Sequence, residues 1–392
     1  MKSGQSKKVV VAMSGGVDSS VAAALLKKQG FDVIGIFMKF WKEGKARENR
    51  CCSVESEKLA RAVAKQIGIP FYVLNAEKEF KKEVVDYFLK EYKKGSTPNP
   101  CVVCNKEIKF GLLIKKALSL GADFVATGHY AKTSLGNKLF SGRGYPSPTF
   151  VGVDPNLQKV CLPRLFAAKD KEKDQSYFLW QLSQEQLKHV LFPVGNYKKP
   201  EVRALAKKLK LPTAQTPESQ EICFIQKDTN EFLKKYLKTK PGDVVDKTGK
   251  VLGRHQGLWF YTIGQRKGLE IPQGPYYAVK KDFENNTLVV SKDEKDLSGK
   301  ELILEDVNWV SGKAPKFPAK IKVKIRYKSN LSDAVVDKNL VPKETDKIWD
   351  AKPEGCSACG GRGYKGRIGI YEAIFMDRAI ETILHTKPSE RE

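Results

Sequence analysis

Val9-Val10-Val11-Ala12-Met13 runs without a break into Ser14-Gly15-Gly16-Val17-Asp18-Ser19-Ser20, giving an apolar run, a glycine turn and a helix start in succession. This unit governs the first half of the chain. Similar apolar runs at Phe31–Phe37, Phe71–Leu74 and Phe124–Thr127 alternate with helical patterns at Ser19–Gln29, Val54–Ile67, Phe80–Lys93 and Ile108–Leu120. Strands alternating with helices predict an α/β fold built on a doubly wound parallel sheet. Ligands of such sheets bind beyond the carboxyl ends of the strands, so the loop after Met13 is the first place to look for a site.

That loop suits an anion. Glycines let backbone N–H groups approach closely, the helix N-terminus adds its positive end, and serine hydroxyls donate further hydrogen bonds. The plainer reading is a tight turn with Asp18 or Ser19 as a helix cap. No Gly-Lys-Ser/Thr ending of a Walker loop follows, which argues against γ-phosphoryl transfer of that type. The pattern Ser-Gly-Gly-x-Asp-Ser resembles instead the loop of the pyrophosphate-loop ATPases. That resemblance implies cleavage of ATP to AMP and pyrophosphate, with adenylation of a substrate.

At 392 residues the chain exceeds one ordinary core. Residues 1–172 read as the ATP-binding catalytic domain. Residues 173–240 read as short helices broken by Pro193, Pro200, Pro212 and Pro217. Apolar runs at Trp259–Thr262, Tyr276–Val279, Leu288–Val290, Glu301–Val307 and Ala319–Tyr327 make 241–341 a β-rich adaptor with a small, partial antiparallel barrel. Residues 342–392 change character. Seventy Lys plus Arg against 45 Asp plus Glu leave a formal charge of +25, which favours a polyanionic partner, nucleic acid first among them. No apolar run approaches the ~18 residues of a membrane span, and Met1–Lys8 lacks the apolar stretch of a signal peptide. The expected setting is therefore the cytoplasm, with no membrane partner. Thiols stay reduced there, so the pairs Cys51/Cys52, Cys101/Cys104 and Cys356/Cys359 are not expected to form a disulfide framework.

Thr97-Pro98-Asn99-Pro100-Cys101-Val102-Val103-Cys104-Asn105-Lys106-Glu107-Ile108-Lys109 puts thiols where a proline-stiffened loop enters a helix. The helix start and the cations of Lys106 and Lys109 favour thiolate, which makes Cys104 a candidate nucleophile. Half of a zinc site and simple burial are the competing readings. Cys223, in Glu218-Ser219-Gln220-Glu221-Ile222-Cys223-Phe224-Ile225, would by itself be a buried core cysteine.

Taken in order, these motifs resemble those of the tRNA-specific 2-thiouridylases over residues 7–340. The resemblance implies that Ala12, Met13, Ser14, Gly15, Gly16, Val17, Asp18, Ser19 and Met38, with Gly128 of Ala126-Thr127-Gly128-His129-Tyr130, hold ATP and its Mg2+. It implies that Asn99, Pro100 and Cys101 meet the target base, that Cys104 is the nucleophilic thiol, and that Cys223 carries a persulfide sulfur, the two thiols forming a disulfide during turnover. Lys173, Asp174 and Gln175, and in the barrel Arg326 and Tyr327, correspond to tRNA-contacting stretches. Read alone each is a surface polar run, although Lys173 and Arg326 suit phosphates and Tyr327 suits base stacking. The implied reaction is ATP-dependent 2-thiolation of the anticodon wobble uridine through an O-adenylated base. Its implied partners are tRNA and a sulfur-donor relay protein or cysteine desulfurase. His129 receives no proton-transfer role, and Cys51, Cys52 and Cys161 are read as structural.

Near Leu340 the resemblance stops, where the family's barrel continues. Gly355-Cys356-Ser357-Ala358-Cys359-Gly360-Gly361-Arg362-Gly363-Tyr364 and the residues up to Glu372 resemble the end of secretion and pilus-assembly motor ATPases. There a Cys-x-x-Cys supplies half of a four-cysteine zinc site; the other half is absent, so no metal site is expected. Two rival functions remain. A pyrophosphate-loop synthetase adenylating a small metabolite would leave Cys104, Cys223 and the positive charge idle. A zinc-linked RNA-binding module using Cys101/Cys104 with Cys356/Cys359 would leave the phosphate loop idle.

Overall fold

The computed structural model describes residues 6–43, 52–140, 162–218, 222–226, 228–269, 271–272, 274–297, 304, 306–337 and 369–370. In chain order the first half comprises β1 (Lys8–Ala12), α1 (Val17–Lys28), β2 (Asp32–Lys39), α2 (Val54–Ile67), β3 (Phe71–Asn75), α3 (Glu77–Phe80), α4 (Asp86–Lys93), α5 (Pro100–Val103), α6 (Leu113–Ser119), β4 (Phe124–Ala126), β5 (Lys132–Thr133), α7 (Ser134–Phe140), β6 (Leu165–Phe166), α8 (Gln184–Leu187), β7 (Val190–Leu191) and α9 (Lys199–Lys208). Five strands form one sheet in the order β3-β2-β1-β4-β7, every neighbouring pair parallel. The expected doubly wound sheet is present, with strand limits within two residues of those read from the sequence.

Burial on both faces accounts for the unbroken apolar run of β1. Val10 packs on one face with Ile36, Val125 and Val190. Val9 and Val11 face the other side, with Phe37, Phe124 and the buried stripes of α1, α2 and α9, including Val21, Leu26, Val63 and Val202. Alternate strand residues point to opposite faces, so a central strand covered on both sides has no polar position. The segment expected to be helical does carry α8 and α9, but it also supplies the fifth strand. Two residues, Val190 and Leu191, are too few to show a period.

Helix α2 begins at Ser53, whose hydroxyl accepts from the Ser56 N–H at 3.1 Å, and ends at Gly68 in the left-handed region at φ +66°. Two other helices carry wide π turns, at Lys81–Val85 between α3 and α4 and at Cys104–Leu112 between α5 and α6. Periodicity alone predicted ordinary helices there.

In the second half α10 (Thr229–Tyr236) leads to β8 (Gly242–Val245), β9 (Val251–His255), β10 (Tyr277–Asp282), β11 (Thr287–Ser291), β12 (Ala319–Lys324), β13 (Ser332–Val336) and β14 (Gly369–Ile370). One sheet has the order β10-β11-β8-β9 and another β13-β12-β14. All these pairings are antiparallel except β11 with β8. The expected strand at Trp259–Thr262 is instead a 3-10 turn, Leu258–Phe260, that buries Leu258 and Phe260. Of the expected strand at Glu301–Val307, residues 301–303 and 305 lie outside the described residues, and 304, 306 and 307 belong to no strand. Val323 and Lys324 pair with Ile370 and Gly369, so the tail lends a strand to the sheet of β12. Cys51, Cys161, Cys356 and Cys359 lie outside the described residues.

The β-rich half grips the loop ahead of Cys101. Lys281 Nζ donates to the carbonyl of Gly95 and, at 3.0 Å, to that of Tyr261. Thr97 and Thr262 hydroxyls meet at 3.0 Å. Gly95 has φ +84°, a conformation that favours glycine, and a Cβ there would have to push aside the exposed Phe283 ring, 2.1 Å away. Burial lowers Lys281 from 10.5 to about 8. The unfolded chain then holds this proton more tightly than the folded protein, so the stability tied to Lys281 rises as pH climbs from about 8 to 10.5. The melting temperature of the parent protein relative to Lys281→Met should increase by roughly 2–4 °C across that window. A flat difference in thermal melts would mean that the amine is well solvated.

Candidate active site

The first four residues after β1 form the loop whose chemistry the sequence pointed to. Met13 is buried and its N–H donates to the Ile36 carbonyl at 2.8 Å, which pins the exit of β1 against β2. The Ser19 hydroxyl accepts from the Ser14 N–H at 3.2 Å and donates to the Gly16 carbonyl at 3.1 Å, holding the loop closed on the first turn of α1. Ser20 Oγ also donates to Gly16 O, at 2.9 Å. Gly16 stands at the N-cap without a side-chain cap of its own, leaving the first N–H groups of α1 available to an anion.

The three strand exits converge. Ile36 pairs with Ala12 and Val11 with Ala126, so Met38 and Gly128 each lie two residues beyond a β1 partner, at the same carboxyl edge as the loop. Gly128 touches α1 directly. A Cβ there would lie 2.5 Å from Ser19 N and 2.7 Å from Asp18 C. Gly15, at φ +76°, is pressed on α2, where a Cβ would meet the Ser56 carbonyl oxygen at 2.3 Å. Gly16 differs from both, with φ −89° and its nearest prospective neighbour, Ser14 Oγ, at 3.5 Å. The sequence treated the two loop glycines alike; the packing separates them.

Asp18 does not stand open to a metal. Its carboxylate accepts from Lys199 Nζ at 2.8 and 2.7 Å and from the Tyr130 hydroxyl at 2.8 Å. Burial, reinforced by Asp18, pushes Tyr130 far above its ordinary value, so it remains a donor. Among the described residues no cluster of three His, Cys, Asp or Glu could hold a metal ion.

Asn99 caps α5, its side chain accepting from the Cys101 N–H at 3.2 Å, and Pro100 occupies the first turn. Cys101 is exposed, and Cys104 is buried at the start of the π turns. A residue absent from the sequence reading reaches two carbonyls of the widened turns. Gln186 Nε2 donates to Lys106 O at 2.8 Å and to Phe110 O at 3.0 Å. Lys106 is drawn to Glu107 at 3.3 Å. Burial between the Phe110 and Phe192 rings, with the Lys109 charge behind it, holds His129 well below its ordinary value. It is neutral, bonded to the Thr127 hydroxyl at 2.8 Å.

Cys223 is half-buried and packs on the core shared by Cys104 and Met38. Its neighbour Phe224 fixes the segment by edge-on contacts with Phe80 at 5.9 Å and Phe88 at 5.3 Å. On the other side of Cys223, Glu218 is paired with Lys173 at 2.7 Å and Lys199 at 3.3 Å, and these cations hold it below the usual carboxylate range. The chain carrying the second thiol is thus fastened to the catalytic half at both ends.

The segment that follows 173–175 meets the chain around 326–327, far away in sequence. Tyr327 packs on Phe178 at 4.6 Å and Tyr177 at 5.9 Å, and the Tyr177 hydroxyl donates to Ile325 O at 3.2 Å. Arg326 Nη2 donates to the Ile263 carbonyl at 2.6 Å. Asp174 and Gln175 are committed to local structure: Asp174 accepts from Ala168 N at 2.8 Å and Ser176 Oγ at 2.7 Å, and Gln175 brackets Tyr130 through bonds of 2.9 and 2.7 Å. Sequence reasoning missed Tyr130, Gln186, Lys199 and the role of Glu218. Tyr130 and Glu218 stood in stretches already singled out; Gln186 and Lys199 did not.

A parallel sheet with a bare-backbone loop at its carboxyl edge, running into a helix start, defines an α/β domain built to bind an anion such as a nucleotide's phosphates. The family model for the tRNA methyl transferase HUP domain matches residues 7–227, and that for the tRNA methyl transferase PRC-barrel domain matches 230–292. The chain is 45% identical over 350 residues, 87% of its length and 90% of the relative's, to the tRNA-specific 2-thiouridylase MnmA of Acetivibrio thermocellus. It is 45% identical to that of Clostridioides difficile over 87% of this chain and 90% of the relative, and 43% identical to that of Clostridium perfringens over 87% and 89%. The chain belongs to the tRNA-specific 2-thiouridylase family.

Alanine at Gly15 or Gly128 should weaken ATP binding by about tenfold or more, the effect of losing ~1.4 kcal/mol, whereas Gly16→Ala should stay within about threefold. Titration with a fluorescent ATP analogue measures this. Equal losses at all three would mean that the loop, not its packing, sets the requirement.

Proposed function

We propose that this protein is a tRNA-uridine 2-sulfurtransferase that consumes ATP and replaces O2 of the anticodon wobble uridine with sulfur. The single observation that carries the reading is the double fastening of the Cys223 segment, by Glu218 to the surroundings of the phosphate loop and by Phe224 to Phe80 and Phe88. It gives two thiols distant in sequence one shared core beneath an ATP site.

The O2 oxygen of uridine is a poor leaving group, and adenylation converts it to a good one. The loop from Ser14 to Ser19 would cradle the phosphates through its N–H groups, and Gly128 would leave room beside them, so that the uridine oxygen displaces pyrophosphate from the α-phosphorus. Mg2+ bound with ATP would neutralise the charge that develops on that leaving group. Asn99, Pro100 and Cys101, at the mouth of the helix that carries Cys104, would receive the base. A wobble base can be splayed out of its loop, while a paired one could not reach such a pocket.

Sulfur would arrive as a persulfide on Cys223, loaded by a sulfur-donor relay protein or cysteine desulfurase. Its outer sulfur attacks C2 and expels AMP, and the Cys104 thiolate then attacks the Cys223 sulfur of the resulting Cys223–S–S–C2 adduct and releases the thiolated base; or Cys104 attacks that sulfur first and the sulfide released displaces AMP from C2. On either route the two thiols end as a disulfide that a reductant must reopen. A cytoplasmic setting supplies that reductant. The positive charge of the chain, with Lys173, Arg326 and Tyr327 along one side, suits phosphate contact and stacking on tRNA.

Cys223→Ser should still adenylate tRNA, releasing pyrophosphate, yet form no 2-thiouridine, since serine cannot carry a persulfide. Cys104→Ser should also abolish product, with persulfide accumulating on Cys223 when a donor is supplied. The double variant should be no worse than either single one, as for groups acting as a unit. Nucleoside mass spectrometry and peptide mapping read all three. Normal thiolation by the Cys223→Ser protein would end the proposed sulfur path, and orthophosphate in place of AMP and pyrophosphate would end the adenylation reading.

A further inference from the structure

Lys199 opens α9 with only 10% of its side chain exposed, and the reaction set out above gives it no task. Its Nζ donates to both oxygens of Asp18, at 2.8 and 2.7 Å, and approaches Glu218 Oε1 at 3.3 Å. Glu218 in turn accepts from Lys173 Nζ at 2.7 Å and lies 3.7 Å from Arg203. The backbone is braced as well: Lys199 N donates to Asp170 Oδ2 at 2.8 Å, while Asp170 Oδ1 accepts from Lys173 N at 3.2 Å. One ammonium group therefore joins the first turn of α1 to the Lys173 stretch and to a carboxylate five residues ahead of Cys223.

We propose that Lys199 is a positioning residue that couples occupancy of the phosphate loop to the placement of the Cys223 thiol, through Asp18 on one side and Glu218 on the other. The purpose of the coupling rests on the thiolation reading, because sulfur should reach the base only after ATP has been engaged. The physical basis is the limited supply of donors. An ammonium has three N–H bonds; here two serve Asp18, and the longest contact is the one to Glu218. An anion beside Asp18 offers Lys199 a charge-assisted acceptor in a poorly hydrated place, and the 3.3 Å contact to Glu218 is the weakest of its bonds and the first to be exchanged. Glu218 then answers to Lys173 and Arg203 alone. An exposed ion pair would be too weak for such a role, but a buried lysine that loses a partner must find another.

The test reads Cys223 itself. Its alkylation by iodoacetamide is followed by peptide mass spectrometry, with and without a non-hydrolysable ATP analogue and Mg2+. In the parent protein nucleotide should change the alkylation rate at least about fivefold, the lower end of ordinary coupling between sites. Glu218→Gln keeps the shape and removes the charge; it should bind the analogue at least as tightly as the parent and lose the change in rate to within about twofold. Lys199→Arg should restore part of the response and Lys199→Met none. Equal responses in the parent and Glu218→Gln proteins, or no response in the parent, would overturn the proposal. A parent protein that shows the alkylation response but makes no 2-thiouridine would support the coupling and overturn the thiolation reading instead.

Discussion

Burial of β1 on both faces is the constraint on which the rest of the molecule depends. Val9, Val10 and Val11 have no solvent contact, and each belongs to one of two cores that the sheet keeps apart. A strand so enclosed can leave the sheet only at its carboxyl end, and it leaves there through two glycines into α1. The position of the phosphate loop is thus a consequence of packing that precedes any chemistry. Around it, the end of β2 carries Met38, and the chain two residues beyond β4 supplies Gly128.

The two cores divide the work. The one beneath α1, α2 and α9 backs the loop and holds it still. The other is larger and takes in the helix of Cys104, the aromatic group of Phe80, Phe88, Phe224 and Phe232, and part of the β-rich half. It brings residues from both halves of the chain around the thiols, and the grip of Lys281, Thr262 and Phe283 on the 95–97 backbone extends the same arrangement to the surface. The core around the thiols is therefore shared by both halves of the chain.

The fold of the first half was legible because each element there is long enough to show its period: α2 was read to its exact limits, from Val54 to Ile67. Strand β7 was not legible, since two residues carry no period, and the π turns were not, since their side-chain pattern is close to that of an α-helix. The phosphate loop and both thiols stood out because glycine pairs and cysteines are unusual in themselves. Lys199 and Gln186 did not, because a lysine among 70 basic residues and a glutamine in a short polar helix look like surface. Their meaning comes from partners far away in the chain. In the β-rich half the short runs gave strands at β10, β11 and β12 but misread Trp259, whose aromatic neighbours turn inward and so resemble a strand in composition alone.

The π turns from Cys104 to Leu112 have a further consequence. A π turn holds more residues than an α turn of similar rise, so it behaves as an insertion absorbed without a loop. Gly111 permits the tight approach to the Lys106 carbonyl, which a Cβ would meet at 2.9 Å, and Gln186 holds the displaced carbonyls from across the fold. In a comparison of related chains, a one-residue gap within this helix would therefore mark the loss of a wide turn, with the flanking residues kept in place and the acceptors of Gln186 withdrawn. The length of this helix, counted residue by residue, is as much a signature of the site as the cysteines are.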